Sequence, residues 1–131
     1  MKNHYDLEER TFLFAKDVAL FILKLPRNVN NFTFAKQLIR SASSIGANYI
    51  EANEPLGTKD LIMHMKIARK ESKETAYWLK LIFETNIGMN KEHYQLLTES
   101  IELKYILSKI IINLSHKHQD SSTKIQVTRP K

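Results

Sequence analysis

The sequence contains no cysteine and only three glycines and three prolines. Without cysteine the chain can form no disulfide bond and has no thiol nucleophile. The scarcity of glycine and proline argues against a turn-rich β protein and favours long, uninterrupted helices. No apolar run approaches the roughly 20 residues that a transmembrane helix needs, and no signal-peptide pattern follows Met1. We therefore expect a soluble, cytoplasmic protein with no membrane partner.

The length of 131 residues and the apolar fraction of 43% suit one folded domain. Beyond His118 the sequence is polar and has no hydrophobic pattern. We predict a helical bundle domain over residues 1–118 and a disordered polar tail over residues 119–131. The net charge of +6 supports nucleic-acid binding only weakly, because phosphate contacts require clustered charge.

Apolar residues recur every three or four positions in four segments, at about residues 7–25, 31–53, 58–86 and 91–116. This spacing predicts four amphipathic helices and an all-α, four-helix-bundle fold. Pro26, the Pro55–Gly57 stretch and Gly88 separate the helices, since proline and glycine stop a helix. The predicted helix N-caps are Asn30 or Asn31, Thr58 and Asn90.

The apolar patterns also predict which faces are buried. The predicted core stripe of the first helix is Phe12, Ala15, Val18, Ala19, Ile22 and Leu25. That of the second is Phe34, Leu38, Ala42 or Ser41, Ile45, Tyr49 and Ala52, and that of the third is Leu61, Met65, Ala68, Ser72, Thr75, Leu79 and Ile82. Glycine costs roughly 1 kcal/mol relative to alanine inside a helix, so Gly46 suggests that another backbone passes close by. The run Ile110–Ile112 is apolar on more than one face. It is either buried deeply within one chain or part of a subunit interface, and the sequence leaves both open.

The sequence shows no motif of a catalytic or metal-binding protein. It has no Walker loop, dinucleotide-binding glycine motif, zinc-protease motif or nucleophile elbow. His116 and His118 are two residues apart, so on a helix they point to different sides. Glu71 and Glu74 share a helix face, but the Glu-x-x-His motif of di-metal bundles is missing. We predict no catalytic residue, no metal ion, no cofactor and no enzymatic activity.

A polar line runs beside the apolar stripe of the second helix. Its members follow one another at steps of four, four and three residues: Arg40, Ser44, Asn48 and Glu51. Such a line is costly to bury unless every group is paired, so we expect it to meet Glu71 or Glu74 across the bundle. These six residues form either a structural polar network that fixes the helix register or a ligand site.

A second candidate is a stripe of lysines on the third helix. Their spacing of seven, four, three and seven residues places them on one side of the helix: Lys59, Lys66, Lys70, Lys73 and Lys80, with Arg69 flanking them. Repeated in an oligomer, this lysine stripe would present a charged surface to the phosphates of RNA or DNA. The alternative is a solvated helix face with local Glu–Lys pairs.

The stretch from Leu38 to Ile82 carries two further patterns, one on each helix. The second helix follows the pattern RS-x-x-SIGAN-x-x-EA, at Arg40, Ser41, Ser44, Ile45, Gly46, Ala47, Asn48, Glu51 and Ala52. The third carries SK and DF elements followed by IA-x-KE-x-x-ET-x-YWL, at Lys59, Asp60, Lys66, Ala68, Lys70, Glu71, Glu74, Thr75, Tyr77, Trp78 and Leu79. In this second pattern, Thr58 and Leu61 replace the usual serine and phenylalanine.

With these patterns the chain resembles, over about residues 12–114, the family of small bundle proteins first associated with intervening sequences in bacterial 23S ribosomal RNA. The resemblance implies an antiparallel, up-down four-helix bundle that often assembles as a ring-like homopentamer. A related branch includes the accessory protein of diversity-generating retroelements, a basic pentamer that binds nucleic acid and a reverse transcriptase. Our leading hypothesis is a non-enzymatic homo-oligomeric scaffold that binds RNA or DNA. The alternative is a protein-interaction module without nucleic-acid affinity.

Overall fold

The computed structural model describes residues 7–54 and 56–128, with side chains as far as Gln119. The described residues form four α-helices and no strand: α1 (Leu7–Leu23), α2 (Val29–Ala52), α3 (Thr58–Thr85) and α4 (Lys91–Thr128). Each helix packs against its neighbour along the chain, and α1 also touches α4. The predicted all-α, antiparallel up-down bundle is therefore confirmed. The break predicted at Pro55 lies outside the described residues.

The last helix is longer than its hydrophobic pattern predicts. α4 extends to Thr128, although the apolar spacing ends near His116. No glycine or proline interrupts the chain between Lys91 and Thr128, and Pro130 is the first residue that stops a helix. The sequence predicts disorder for residues 119–131, whereas residues 119–128 are helical in the structure. Residues 129–131 lie outside the described part. None of the four helices, over the residues described, is long and apolar enough to cross a membrane.

Two of the predicted helix caps differ from the structure. Asn28 caps α2, where its side-chain oxygen accepts a hydrogen bond from the backbone N–H of Asn31 at 2.8 Å. Gly57, with extended backbone, takes the cap position predicted for Thr58, and Thr58 begins α3. The prediction at Asn90 is confirmed, because its side chain accepts from the N–H of His93 at 3.1 Å. Nδ1 of His93 in turn accepts a hydrogen bond from the backbone N–H of Asn90 at 3.1 Å.

The tightest packing joins α2 to α3. The predicted stripes are buried on both helices, with Leu38 and Ile45 on α2 and Leu79 and Ile82 on α3 fully enclosed. Small hydroxyl side chains fill the centre of this contact, where Thr75 Oγ1 lies 2.9 Å from Ser41 Oγ. Hydroxyls of this kind satisfy their hydrogen bonds locally and leave room for two backbones to approach.

The buried face of α1 is not the predicted one. The line Leu7, Thr11, Phe14, Val18 and Phe21 faces the core. Phe12, predicted as core, is 67% exposed. Both lines have helical spacing, and the buried one contains a threonine that lies against Gly46, so hydrophobicity alone favours the wrong line. Of the predicted stripe, only Val18 is fully buried.

The contact between α1 and α4 closes the bundle and includes a charged cluster. Arg10 donates to both carboxylate oxygens of Glu99 at 2.7 and 2.8 Å, and it lies 2.9 Å from Glu102. The hydrogen bond to Glu99 raises the pKa of Arg10 above its ordinary value, against the effect of burial. A bidentate arginine–carboxylate pair is among the stronger surface interactions, so this cluster fixes the seam between the first and last helices.

Candidate nucleic-acid interface

The polar line of α2 meets α3 at Arg40. Its guanidinium lies 3.2 Å from a carboxylate oxygen of Glu71 and also pairs with Glu74. The side chain of Glu71 is only 9% exposed, so its negative charge depends on Arg40 for compensation. Burial lowers the pKa of Arg40, but the charges of Glu71 and Glu74 and their hydrogen bonds outweigh it, so the pKa lies above its ordinary value. Arg40 therefore holds the two helices together as a permanent cation.

Two residues outside the predicted polar network extend this cluster. The indole N–H of Trp78 donates to Glu74 at 3.1 Å, and Arg40 also donates to Gln37 at 3.3 Å. Trp78 lies one turn after Glu74 on α3, and Gln37 lies one turn before Arg40 on α2. This spacing alone places each residue on the same helix face as its partner. With these bonds, the carboxylates of Glu71 and Glu74 are engaged by Arg40 of α2 and by Trp78 of α3.

A second cluster joins the same two helices one turn further along. The amide nitrogen of Asn48 donates to the carbonyl oxygen of Ser44 at 2.9 Å, and it lies 3.1 Å from the Ser44 hydroxyl. Its oxygen is left to accept from His64 Nδ1 at 3.1 Å. The other ring nitrogen of His64 lies 3.5 Å from Asp60. His64 and Asp60 were missed, although their spacing of four residues on α3 places them on one face.

Glu51 belongs to neither cluster. It is exposed in the last turn of α2, and its carboxylate pairs with no side chain that the structure describes. The six residues predicted as one polar network are thus two clusters and a separate surface charge, while their structural role stays a prediction.

The lysine stripe lies on the outer face of α3. All five lysines of the stripe are exposed, and Arg69 beside them is half-buried. None of the six forms an ion pair within residues 7–54 or 56–119. Glu71 and Glu74, the nearest acidic residues along this part of the helix, point to Arg40 instead. No ion pair therefore compensates the charge of the stripe within the described residues, although the exposed Glu84 lies one turn after Lys80.

An aromatic ring interrupts the stripe. Tyr77 follows Lys73 by four residues and precedes Lys80 by three, so it lies on the same line. It is 58% exposed, and one side of it packs edge-on against Trp78 with ring centroids 5.0 Å apart. Trp78 in turn stacks on Phe34 at 6.1 Å. The ring of Tyr77 is thus supported from within and open to solvent among the lysines.

A groove between α3 and α4 continues the lysine stripe towards the start of α3. Its volume is about 620 Å³. On the α3 side, the groove is lined by three lysines of the stripe, Lys59, Lys66 and Lys70. Its apolar lining comes from Ile62, Met63 and Ile67. On the α4 side, the groove is lined by Ser115, His118 and Gln119. It combines positive charge with an apolar floor. Nowhere in the described part of the chain do three or more His, Asp or Glu side chains gather in a way that could hold a metal ion.

A different kind of surface lies along α1 and α2. Four large apolar side chains are exposed there: Phe12 and Leu23 on α1, and Phe32 and Ile50 on α2. We call these four residues the outer apolar surface. A second groove, of about 550 Å³, lies between the two helices and is lined by Ile22, Leu25, Phe32, Ala35 and Ile39 among others. On α4, Ile111 is buried and Ile112 is 53% exposed. The apolar run of α4 is therefore only partly explained by burial within one chain.

Comparison with known proteins gives one family. The family profile described as 23S rRNA-intervening sequence protein matches residues 4–109. A solved structure from Bacteroides thetaiotaomicron, described as a protein with unknown function from the S23 ribosomal protein family, is similar with 32% sequence identity and a TM-score of 0.72. The similarity covers 79% of this chain and 93% of the other. No curated protein matches this chain.

Proposed function

This chain belongs to the 23S rRNA-intervening sequence protein family, and we propose that it is a non-enzymatic, homo-oligomeric scaffold that binds RNA or DNA in the cytoplasm. The observation that carries the proposal is the lysine stripe, which is exposed on α3 and forms no ion pair within the described residues. A stripe from Lys59 to Lys80 extends over roughly 30 Å at the helical rise of 1.5 Å per residue. Phosphate backbones are bound by clustered lysine and arginine charges of this kind.

The arrangement of acidic residues supports this proposal. A solvated helix face would be expected to carry local Glu–Lys pairs. Here Glu71 and Glu74 are instead engaged by Arg40 and Trp78. The cluster around Arg40 thus leaves the lysines without these two carboxylates as partners, because Arg40 pairs with both.

Assembly with further copies of the chain is supported by the outer apolar surface. Exposed apolar patches mark interaction surfaces in soluble proteins. Burying these side chains of α1 and α2 between subunits would leave the lysine stripe of α3 on the outside. A ring would repeat the stripe and strengthen binding through effective concentration. The family resemblance implies five subunits, and we propose that number.

The test replaces three lysines of the stripe, as Lys66→Glu, Lys70→Glu and Lys73→Glu together. Its matched control reverses three exposed lysines elsewhere: Lys24→Glu, Lys91→Glu and Lys109→Glu, with the same change in net charge. Light scattering gives the mass of each variant, with and without a mixed RNA and DNA pool, at low and high salt. We expect an oligomer that binds nucleic acid and releases it at high salt. The stripe variant should bind more weakly, with a shallower salt dependence by roughly one unit per lost phosphate contact.

Equal weakening by both triple variants would show that net charge and not the stripe is responsible. An oligomer of unchanged mass that ignores nucleic acid would favour the second candidate function, a protein-interaction module. The outer apolar surface favours that candidate, because a protein partner could occupy it as well as another subunit. Recovery of one partner protein after nuclease treatment would support it.

A further inference from the structure

We propose that the nucleic acid bound by the lysine stripe is single-stranded, with one base stacked on Tyr77 and neighbouring bases over the apolar floor of the α3–α4 groove. This inference rests on the proposed function and specifies its ligand. A single strand exposes the faces of its bases, whereas a duplex keeps them stacked on each other and presents phosphates. The question is therefore whether this surface offers anything to a base.

Tyr77 offers a stacking surface. It lies between Lys73 and Lys80 on the same line, so a strand whose phosphates follow the lysines passes directly over it. Trp78 holds its ring edge-on at 5.0 Å and is itself stacked on Phe34, so little conformational freedom is lost when a base binds. Proteins that bind single strands combine a positive track with aromatic side chains in this way.

The groove offers a second contact of the same kind. Lys59, Lys66 and Lys70 supply positive charge along it, while Met63, which is 49% exposed, and its neighbours supply an apolar floor. Methionine is flexible and polarisable, and it adapts to flat aromatic surfaces. A duplex bound through phosphates would leave both Tyr77 and this floor in water. Between the two forms of nucleic acid, this apolar and aromatic surface among the lysines therefore favours a single strand over a duplex.

The experiment compares a single-stranded RNA of about 12 nucleotides, within the size range that small single-strand-binding domains cover, with a duplex of the same sequence. Affinity is measured by fluorescence anisotropy at several salt concentrations for the full chain. Tyr77→Leu retains bulk against Trp78 but removes the aromatic face, and Tyr77→Phe retains that face. Tyr94→Leu is the matched control, since Tyr94 is also exposed and also packs on a core aromatic ring, Phe83, at 4.8 Å.

We expect the single strand to bind more tightly than the duplex. Tyr77→Leu should lower affinity for the single strand on the order of tenfold, as expected for one lost base stack, and leave the duplex unaffected. Its salt dependence should not change, because no charge is lost. Tyr77→Phe and Tyr94→Leu should bind like the unmodified chain. Trp78, the only tryptophan, should change its fluorescence with the single strand and not with the duplex.

Two results would overturn the inference in distinguishable ways. If the duplex binds as tightly as the single strand and Tyr77→Leu changes neither, the stripe binds nucleic acid through phosphates alone and the proposed function stands. If neither oligonucleotide binds at any salt concentration, the proposed function fails and the inference fails with it. A loss of affinity that is equal for both oligonucleotides in Tyr77→Leu would also contradict base stacking.

Discussion

A Cβ atom placed on Gly46 would lie 2.9 Å from Oγ1 of Thr11 and 3.2 Å from its Cβ, so α2 and α1 meet where only glycine fits. Thr11 is buried, and its hydroxyl is held by a 3.0 Å bond to the carbonyl oxygen of Glu8. We expect Gly46→Ala to destabilise the chain by about 1 kcal/mol, because overpacking outweighs the better helix propensity of alanine. Urea denaturation measures the change.

The same contact provides its own control. In a Thr11→Ala background, the oxygen at 2.9 Å is absent, while the Cβ atom at 3.2 Å remains. Gly46→Ala should then cost less than in the unmodified chain when measured against Thr11→Ala alone. An equal cost in both backgrounds would show that the close approach of the two helices is not the cause.

Replacing Arg40 tests its ion pair with the buried carboxylate of Glu71. Arg40→Ala leaves the carboxylate of Glu71 buried without its partner, and we expect a loss of roughly 2–4 kcal/mol in unfolding free energy. The double variant Arg40→Ala with Glu71→Leu should recover much of this loss, because no buried charge remains. Urea melts of the two single variants and the double variant give the coupling. Unchanged stability of Arg40→Ala would contradict a structural role for the pair.

Asn48 tests the second cluster. Asn48→Ala removes the acceptor of His64 and the donor to Ser44, so we expect a loss of about 1–2 kcal/mol in thermal or chemical unfolding. His64→Ala should cost less, because Asn48 keeps its bonds to Ser44. The two changes should not be additive, since each removes the same hydrogen bond. Additive losses would show that the Asn48–His64 bond contributes nothing in solution.

The outer apolar surface tests assembly. Phe12→Glu with Phe32→Glu places charges on two side chains that are 67% and 68% exposed, so one folded chain should tolerate them. If this surface joins subunits, the mass measured by light scattering should fall towards that of one chain while circular dichroism stays helical. Ile87→Glu is the control, since Ile87 is exposed between α3 and α4. An unchanged mass would place the subunit contact elsewhere, with Ile112 the next residue to replace.

The fold was predictable because α2 and α3 each have one dominant apolar stripe. Leu38, Ile45, Leu79 and Ile82 were all assigned to the core from spacing alone, and all are fully buried. The first helix was not predictable in the same way. It has two lines of helical spacing, and the choice between them depends on Thr11 fitting against Gly46, which is a contact between helices and not a property of either one.

The candidate site was also predictable only in part. Charge and spacing were sufficient to expect Arg40 opposite Glu71 or Glu74, because a polar line beside an apolar stripe needs partners across the bundle. They did not identify His64, whose role depends on the orientation of the Asn48 amide. Tyr77 was visible within the lysine spacing, but nothing in the sequence indicated that Trp78 would support its ring and leave the other side open. The register between helices determines such details, and it is set by tertiary packing.

The seam at which Arg10 binds Glu99 has a consequence for the order of folding. Most contacts of the bundle join helices that are neighbours along the chain, and proteins of low contact order fold within microseconds to milliseconds. The Arg10–Glu99 pair, 89 residues apart, carries a higher loop-closure entropy than contacts between neighbouring helices and is expected to form late. Interactions absent from the transition state govern the rate of unfolding and not that of folding. Arg10→Ala should therefore raise the rate of unfolding and leave the rate of folding unchanged, so that the seam between the first and last helices sets the lifetime of the native bundle.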